Sequence, residues 1–341
     1  MARTAFLFLI FSAMVIAIAW QPLHTRSAAD DMTSTLLIQG SRIDVTLESG
    51  DLKVSHNQVL QWVKSAGEAV ATYYGKYPVP HLTLQISPSG REGVSHGMTW
   101  GRGGGLIEIH IGSHTPASEL ADDWMLTHEM VHLSFPSVAD EHHWIEEGIA
   151  TYVEPIARIQ AGQMNAASMW SDLVRDMPKG VPKPDDKGLD HTHSWASTYW
   201  GGALFCFLAD VQIRTQTDNH KGLQDALRSI LNSGGDIRQD WRLEDALSTG
   251  DRATGTHVLM DLYGKMKEQP MPVDLPALWK QLGVEPEGRT VHLDDNAPWA
   301  QIRIAITRRE VLAPGSPAAG SCPTAIFAGR TGRFPPSAPA T

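Results

Sequence analysis

The chain has 341 residues, 42% of them hydrophobic and 19% charged, a balance that fits a folded protein of one large domain or two lobes. Its 28 Lys and Arg stand against 38 Asp and Glu, for a formal charge of −10. No basic cluster offsets that acidity, which argues against nucleic acid as a partner, because phosphate contacts need grouped Lys and Arg.

Residues 1–19 read as an export signal. Arg3 supplies the positive charge, residues 5–19 are an almost unbroken apolar run, and Ala17-Ile18-Ala19 fits the small-x-small cleavage pattern. The run is shorter than the roughly 20 residues a spanning helix needs. An exported protein, periplasmic or extracellular, is therefore expected, with membrane contact only if this segment stays on as an uncleaved anchor. Residues 20–34 are polar and read as a linker. The folded domain is expected over 35–310, with an α/β lobe (35–137) and a helical lobe (138–310). Residues 311–341, rich in Pro, Gly, Ala and Ser, read as a disordered tail.

Within the domain, residues 42–47 alternate like a strand. Residues 57–74 carry Val59, Leu60, Val63, Ala66 and Val70 at helical spacing and stop near Gly75. A second strand follows Pro78-Val79-Pro80 at 82–86. The glycine-rich passage 90–105 has no Lys in a phosphate-loop position, so a flexible turn is the reading. Residues 106–111 alternate again, with Ile107, Ile109 and Ile111 on one face. Thr115-Pro116 is a good helix start, and the helix is expected to run, with Leu120, Trp124, Met125, Leu126 and Val131 inward, to near Phe135 before Pro136. Helical patterns then cover 141–159 (with Pro155 kinking or ending it), 195–213, 223–231, 243–247, 256–267 and 275–282, with a loop at 176–193. Strands gather before residue 112 and helices after it, an α+β arrangement: a small mixed sheet packed on the helix over 115–135, then a mainly helical lobe. Cys206 lies in an apolar helical run and reads as a small buried hydrophobe. Nothing in the spacing supports pairing it with Cys322.

The chemistry centres on His128-Glu129-Met130-Val131-His132, an H-E-x-x-H sequence. Histidines four apart share a helix face, with Cβ atoms about 5–6 Å apart, and can meet one zinc ion. Glu129, a quarter-turn away, can reach a water at that metal without ligating it. A catalytic zinc site wants a third protein ligand and an open position. The metzincin pattern would need Gly at 135 and His at 138, where Phe135 and Val138 stand. His142 and His143 are candidates. Glu147 is the better one: Glu147, Thr151 and Glu154 fall on one helix face, and Gly148 and Ala150 would let a second helix approach. Glu154 is placed to orient a ligating histidine.

These residues resemble the gluzincin peptidases, in particular the aminopeptidase-N-like and glycyl-aminopeptidase group. The pattern His128-Glu129-x-x-His132 followed by Trp144-Ile145-Glu146-Glu147-Gly148 is similar to that family's zinc-binding helices, and Tyr199-Trp200-Gly201-Gly202 is similar to its Y-x-x-G element. The resemblance spans roughly residues 95–215. It implies a thermolysin-like core and one Zn2+ on His128, His132 and Glu147. It also implies Glu129 as general base, Tyr199 as donor to the oxyanion, and Glu154 as the later acid of the same helix. His191 and His193 are an alternative source of the oxyanion donor.

Two departures stand out. The His132–Glu147 connection is short for this family. In addition, Met98-Thr99-Trp100-Gly101 occupies the family's substrate-binding strand with Thr99 where an acid is expected. Met98, Thr99 and Trp100 are the implied substrate contacts, and Glu92 and Glu108 are the nearest acids. The expected function is secreted zinc-dependent hydrolysis of peptide bonds, endopeptidase action ahead of aminopeptidase action, with a peptide or protein as partner. The rival is a catalytically silent peptide-binding protein of the same fold. The cleft is expected between the H-E-x-x-H helix and the strand at 106–111, whose free edge would pair with the peptide.

Overall fold

The computed structural model describes residues 31–309 apart from Arg102. The signal segment 1–19, most of the linker, the tail 311–341 and Cys322 lie outside the described residues. Among the described residues no helix is long and apolar enough to cross a membrane.

A five-stranded mixed sheet forms the first layer, built from β1 (Met32–Ile38), β2 (Ser41–Leu47), β3 (His81–Ser89), β4 (Val94–Trp100) and β5 (Gly105–Gly112), in the order β1-β2-β3-β5-β4. β1 pairs antiparallel with β2, β2 and β3 run parallel, as do β3 and β5, and β4 returns antiparallel to β5. The alternation read from sequence matches the burial: Ile43, Val45, Leu82, Leu84, Ile86, Ile107, Ile109 and Ile111 are fully buried. Helix α1 (His56–Tyr74) starts at a Ser55–Gln58 capping box and stops at Gly75 in the left-handed region, as its sequence signals require.

Several expectations are corrected. β1 begins at Met32, inside the segment read as linker, because its residues find β2 as a partner. The glycine-rich passage contains β4, which pairs with β5 on the side away from β3. The strand at 106–111 therefore has no free edge, and β4 is the sheet's edge on that side. The single helix expected from 115 to 135 is two, α2 (Ala117–Asp122) and α3 (Met125–His132). The break is a capping site. Asp123 accepts hydrogen bonds from the backbone N–H groups of Met125 and Leu126, both at 3.1 Å, and Trp62 Nε1 donates to the same carboxylate.

The helical lobe opens with a 3-10 turn at Asp140–His142 and α4 (His143–Gln160), which runs through Pro155 to Gln160 rather than ending there. α5 (Ala166–Asp176) follows, unforeseen in the sequence. A π-helical turn at Ala196–Gly201 leads into α6 (Gly202–Gln216), and then come α7 (Leu223–Asn232), α8 (Leu243–Thr254), α9 (Val258–Met266) and α10 (Leu275–Leu282). A hairpin of β6 (Val284–Glu287) and β7 (Thr290–Leu293) and α11 (Ala300–Thr307) close the described chain. Cys206 is buried in α6 as a free thiol.

Candidate metal centre

α3 carries His128, Glu129 and His132, and α4 carries Glu147. Packing of these two helices brings Glu147 Oε2 to 3.1 Å from His128 Nε2 and 3.6 Å from His132 Nε2. One ligand atom from each of the three residues falls within 4.8 Å of the others, and the group is at least largely buried. Two imidazole nitrogens and one carboxylate oxygen converging on a point are the donor set of a catalytic zinc site with a position left for water or substrate.

The electrostatics suit that set. Burial holds the His128 imidazole below its usual pKa, which favours the neutral ring that metal ligation needs. Burial works against charge on Glu147, but the imidazoles of His128, His132 and His143 gathered around its carboxylate prevail and keep it ionised. His143 is not one of the converging three. Its Nδ1 meets Glu146 Oε2 at 2.9 Å and its Nε2 lies 3.4 Å from Glu147 Oε1, and these two carboxylates raise its pKa to about 10. His142 faces the other way, its Nδ1 3.0 Å from Asp190.

The start of α4 is anchored from behind. Asp190 accepts hydrogen bonds from Trp144 Nε1 (2.8 Å) and Tyr263 OH (3.1 Å) as well as meeting His142. Trp144 thus ties the turn before Glu147 to the 176–193 loop.

Glu129 is buried beside the trio. Thr99 Oγ1, from β4, lies 2.6 Å from Glu129 Oε2 and 3.1 Å from the Glu129 carbonyl oxygen. Tyr199 sits in the π-helical turn, its ring stacked on that of His128 at 6.1 Å between centroids. Burial and the neighbouring Glu147 carboxylate, with which its hydroxyl interacts, push its pKa up, so it remains a proton donor. π-Turns widen the helix by one residue per turn and recur at functional positions. His191 pairs with Glu268, away from the trio.

Glu154 does not meet a ligating histidine. Its hydrogen-bond partner among the described residues is Arg158, at 3.1 Å. Trp124, read as inward-facing, is half exposed and sets its ring edge against His128 at 5.4 Å, because the break at Asp123 turns it out of the core.

Two cavities meet at Tyr199. One, of about 600 Å³, is lined by Met98, Thr99 and Trp100 of β4 together with Glu129, His132 and Glu147. The other, of about 860 Å³, is lined by His128, Trp124, Trp195 and Glu154. All three substrate contacts implied by the sequence therefore line the first cavity. Among the described residues neither Glu92 nor Glu108 lines either cavity. Ile237, Arg238 and Asp240 complete the first cavity's far wall, held there by a parallel bridge between Ser137 and Asp240 just after α3. No local motif marks that segment, and its role comes only from the long-range pairing.

The fold is shared with a solved structure of the aminopeptidase N family. An aminopeptidase N family protein from Idiomarina loihiensis matches with a TM-score of 0.58 at 14% identity, covering 75% of this chain and 49% of that one. An M1 zinc metallopeptidase from Deinococcus radiodurans matches with a TM-score of 0.46 at 15% identity, covering 71% of this chain and 54% of that one. The chain spans about half the length of these structures. No protein-family model matches the sequence, and no curated protein matches it.

Proposed function

We propose that the chain is a zinc metallopeptidase. The observation that carries this reading is the convergence of His128, His132 and Glu147 within 4.8 Å, with Glu129 and Tyr199 on the same spot. A bound zinc ion would supply Lewis-acid polarisation and a more acidic water. The chain's own residues do the rest. Glu129 takes the proton of the attacking water and passes it to the leaving amine, while Thr99 keeps its carboxylate in place. The Tyr199 hydroxyl, kept protonated by burial and by Glu147, donates to the developing oxyanion. β4, an edge strand of the sheet that lines the first cavity, can pair with an extended substrate. Export, inferred from residues 1–19, belongs to the same proposal.

Removal of N-terminal residues is the first form of this activity, supported by the fold shared with the Idiomarina aminopeptidase N family protein. Glu146 and Asp240, on the β4 side, are acids that an N-terminal ammonium could meet. Endopeptidase action, the expectation from sequence, is the second form. It is favoured by Thr99 in the place of the acid and by cavities on both sides of the site. Zinc analysis of the purified protein and digestion of matched peptides with free and acetylated N-termini test both forms. Loss of cleavage on acetylation supports the first, and internal cleavage of both peptides the second. Zinc-loaded protein that cuts neither overturns the enzyme reading and favours a peptide-binding role. Glu129→Gln should retain zinc and lose about 10²–10⁴ in rate.

A further inference from the structure

We propose that Thr99 is a positioning residue for the general base, a role that rests on the metallopeptidase reading above. Three features of β4 converge on Glu129. The β4–β5 register breaks between Ser95 and Met98, and His96 within the break has a φ of +57°. The bulge sets Gly97 against the Glu129 side chain, where a Cβ would fall 2.5 Å from Oε1 and 2.7 Å from Cγ, so no larger residue fits unless the carboxylate moves. Two residues on, Thr99 Oγ1 stands 2.6 Å from Oε2 and 3.1 Å from the main-chain oxygen of the same glutamate.

Because a hydroxyl carries one proton, the shorter of the two contacts, to the carboxylate oxygen, takes the donated bond. The β-branched side chain has little χ1 freedom, so the donor is held in place. Oε2 is thereby occupied, and Oε1, beside the bare Gly97, is the oxygen free to accept a proton from water. An acid at position 99 could not play this part, since two carboxylates at that separation repel and one would take up a proton. In this chain the position serves the base rather than the substrate.

The test compares Thr99→Val, which keeps the shape but loses the hydroxyl, with Thr99→Ser, which keeps the hydroxyl. Measurements are kcat and KM on one peptide, zinc stoichiometry, and the Glu129 side-chain conformation in crystal structures of the three proteins. In Thr99→Val, kcat should fall roughly tenfold to a hundredfold with KM and zinc unchanged, and Glu129 should leave its wild-type rotamer. Thr99→Ser should recover most of kcat and the rotamer. A rise in KM alone would make Thr99 a substrate contact and overturn the proposal, as would equal losses in the two variants. If the wild type hydrolyses nothing, the peptidase reading falls on its own. The Glu129 rotamer still decides the positioning role, and an unchanged rotamer in Thr99→Val overturns it.

Discussion

Gly148 of α4 and Gly202 of α6 meet backbone to backbone. A Cβ on Gly202 would lie 2.7 Å from the Gly148 Cα and overlap the Trp144 carbonyl, and one on Gly148 would overlap the Gly202 main chain. Gly148 directly follows Glu147, and Gly202 closes the turn that carries Tyr199. This contact therefore sets the distance between the carboxylate and the phenol. Gly148→Ala should force the helices apart, cost about 1–3 kcal/mol as overpacking does, and reduce any activity more than the stability loss explains. Urea unfolding and kcat on the same preparation check this. A wild-type midpoint with wild-type kcat would show that the helices can part without consequence.

That contact was partly legible, because small residues after Glu147 signal a close helix approach. Likewise the i, i+4 histidines and the alternating strands at 82–86 and 106–111 carry local periodicity that tertiary packing only confirms. What stayed hidden depended on partners distant in sequence. Residues 94–100 have weak strand propensity and form β4 because β5 offers them an edge. Asp123 sits mid-pattern in an apparently continuous helix and splits it by capping the second half. By its spacing Glu154 shares a helix face with Glu147, but Arg158, one turn on, pairs with it. The wall from Ile237 to Asp240 has no periodic or motif signal at all.

Glu146 and Glu147 are neighbours with different tasks. Glu147 faces both histidines, whereas Glu146 holds His143 and accepts from the Val138 N–H at 3.3 Å. Glu147→Ala should abolish stoichiometric zinc, and Glu146→Ala should keep it. Metal analysis after dialysis checks the pair. Zinc retained in Glu147→Ala and lost in Glu146→Ala would reverse the assignment.

Asp190 holds the start of α4 through His142, Trp144 and Tyr263, all of them buried. Asp190→Ala leaves three polar groups without their acceptor, at a cost of about 3 kcal/mol or more. Asp190→Asn, which keeps one acceptor oxygen, should lose less. Chemical denaturation of the three proteins measures the order, and equal stability of Asp190→Ala and wild type would remove Asp190 as an anchor.

Glu154 makes stability depend on pH in the direction opposite to an ordinary ion-paired acid. Burial raises its pKa from the usual 4.5 to about 7, against the pull of Arg158, with Asp123 and Asp172 adding to the rise. Between those two values the folded protein keeps a proton that the unfolded chain has released. Raising the pH through this window therefore favours unfolding. The stability is fully present below about 4.5 and is lost as pH climbs through about 7, by on the order of 3 kcal/mol. Glu154→Gln stays neutral and can still accept from Arg158, so it should lack this component. Urea midpoints of wild type and Glu154→Gln from about pH 5 to 8 provide the comparison. Wild type should fall more steeply than the variant across the window. Parallel curves would mean that Glu154 is already ionised in the folded protein, with Arg158 outweighing its burial.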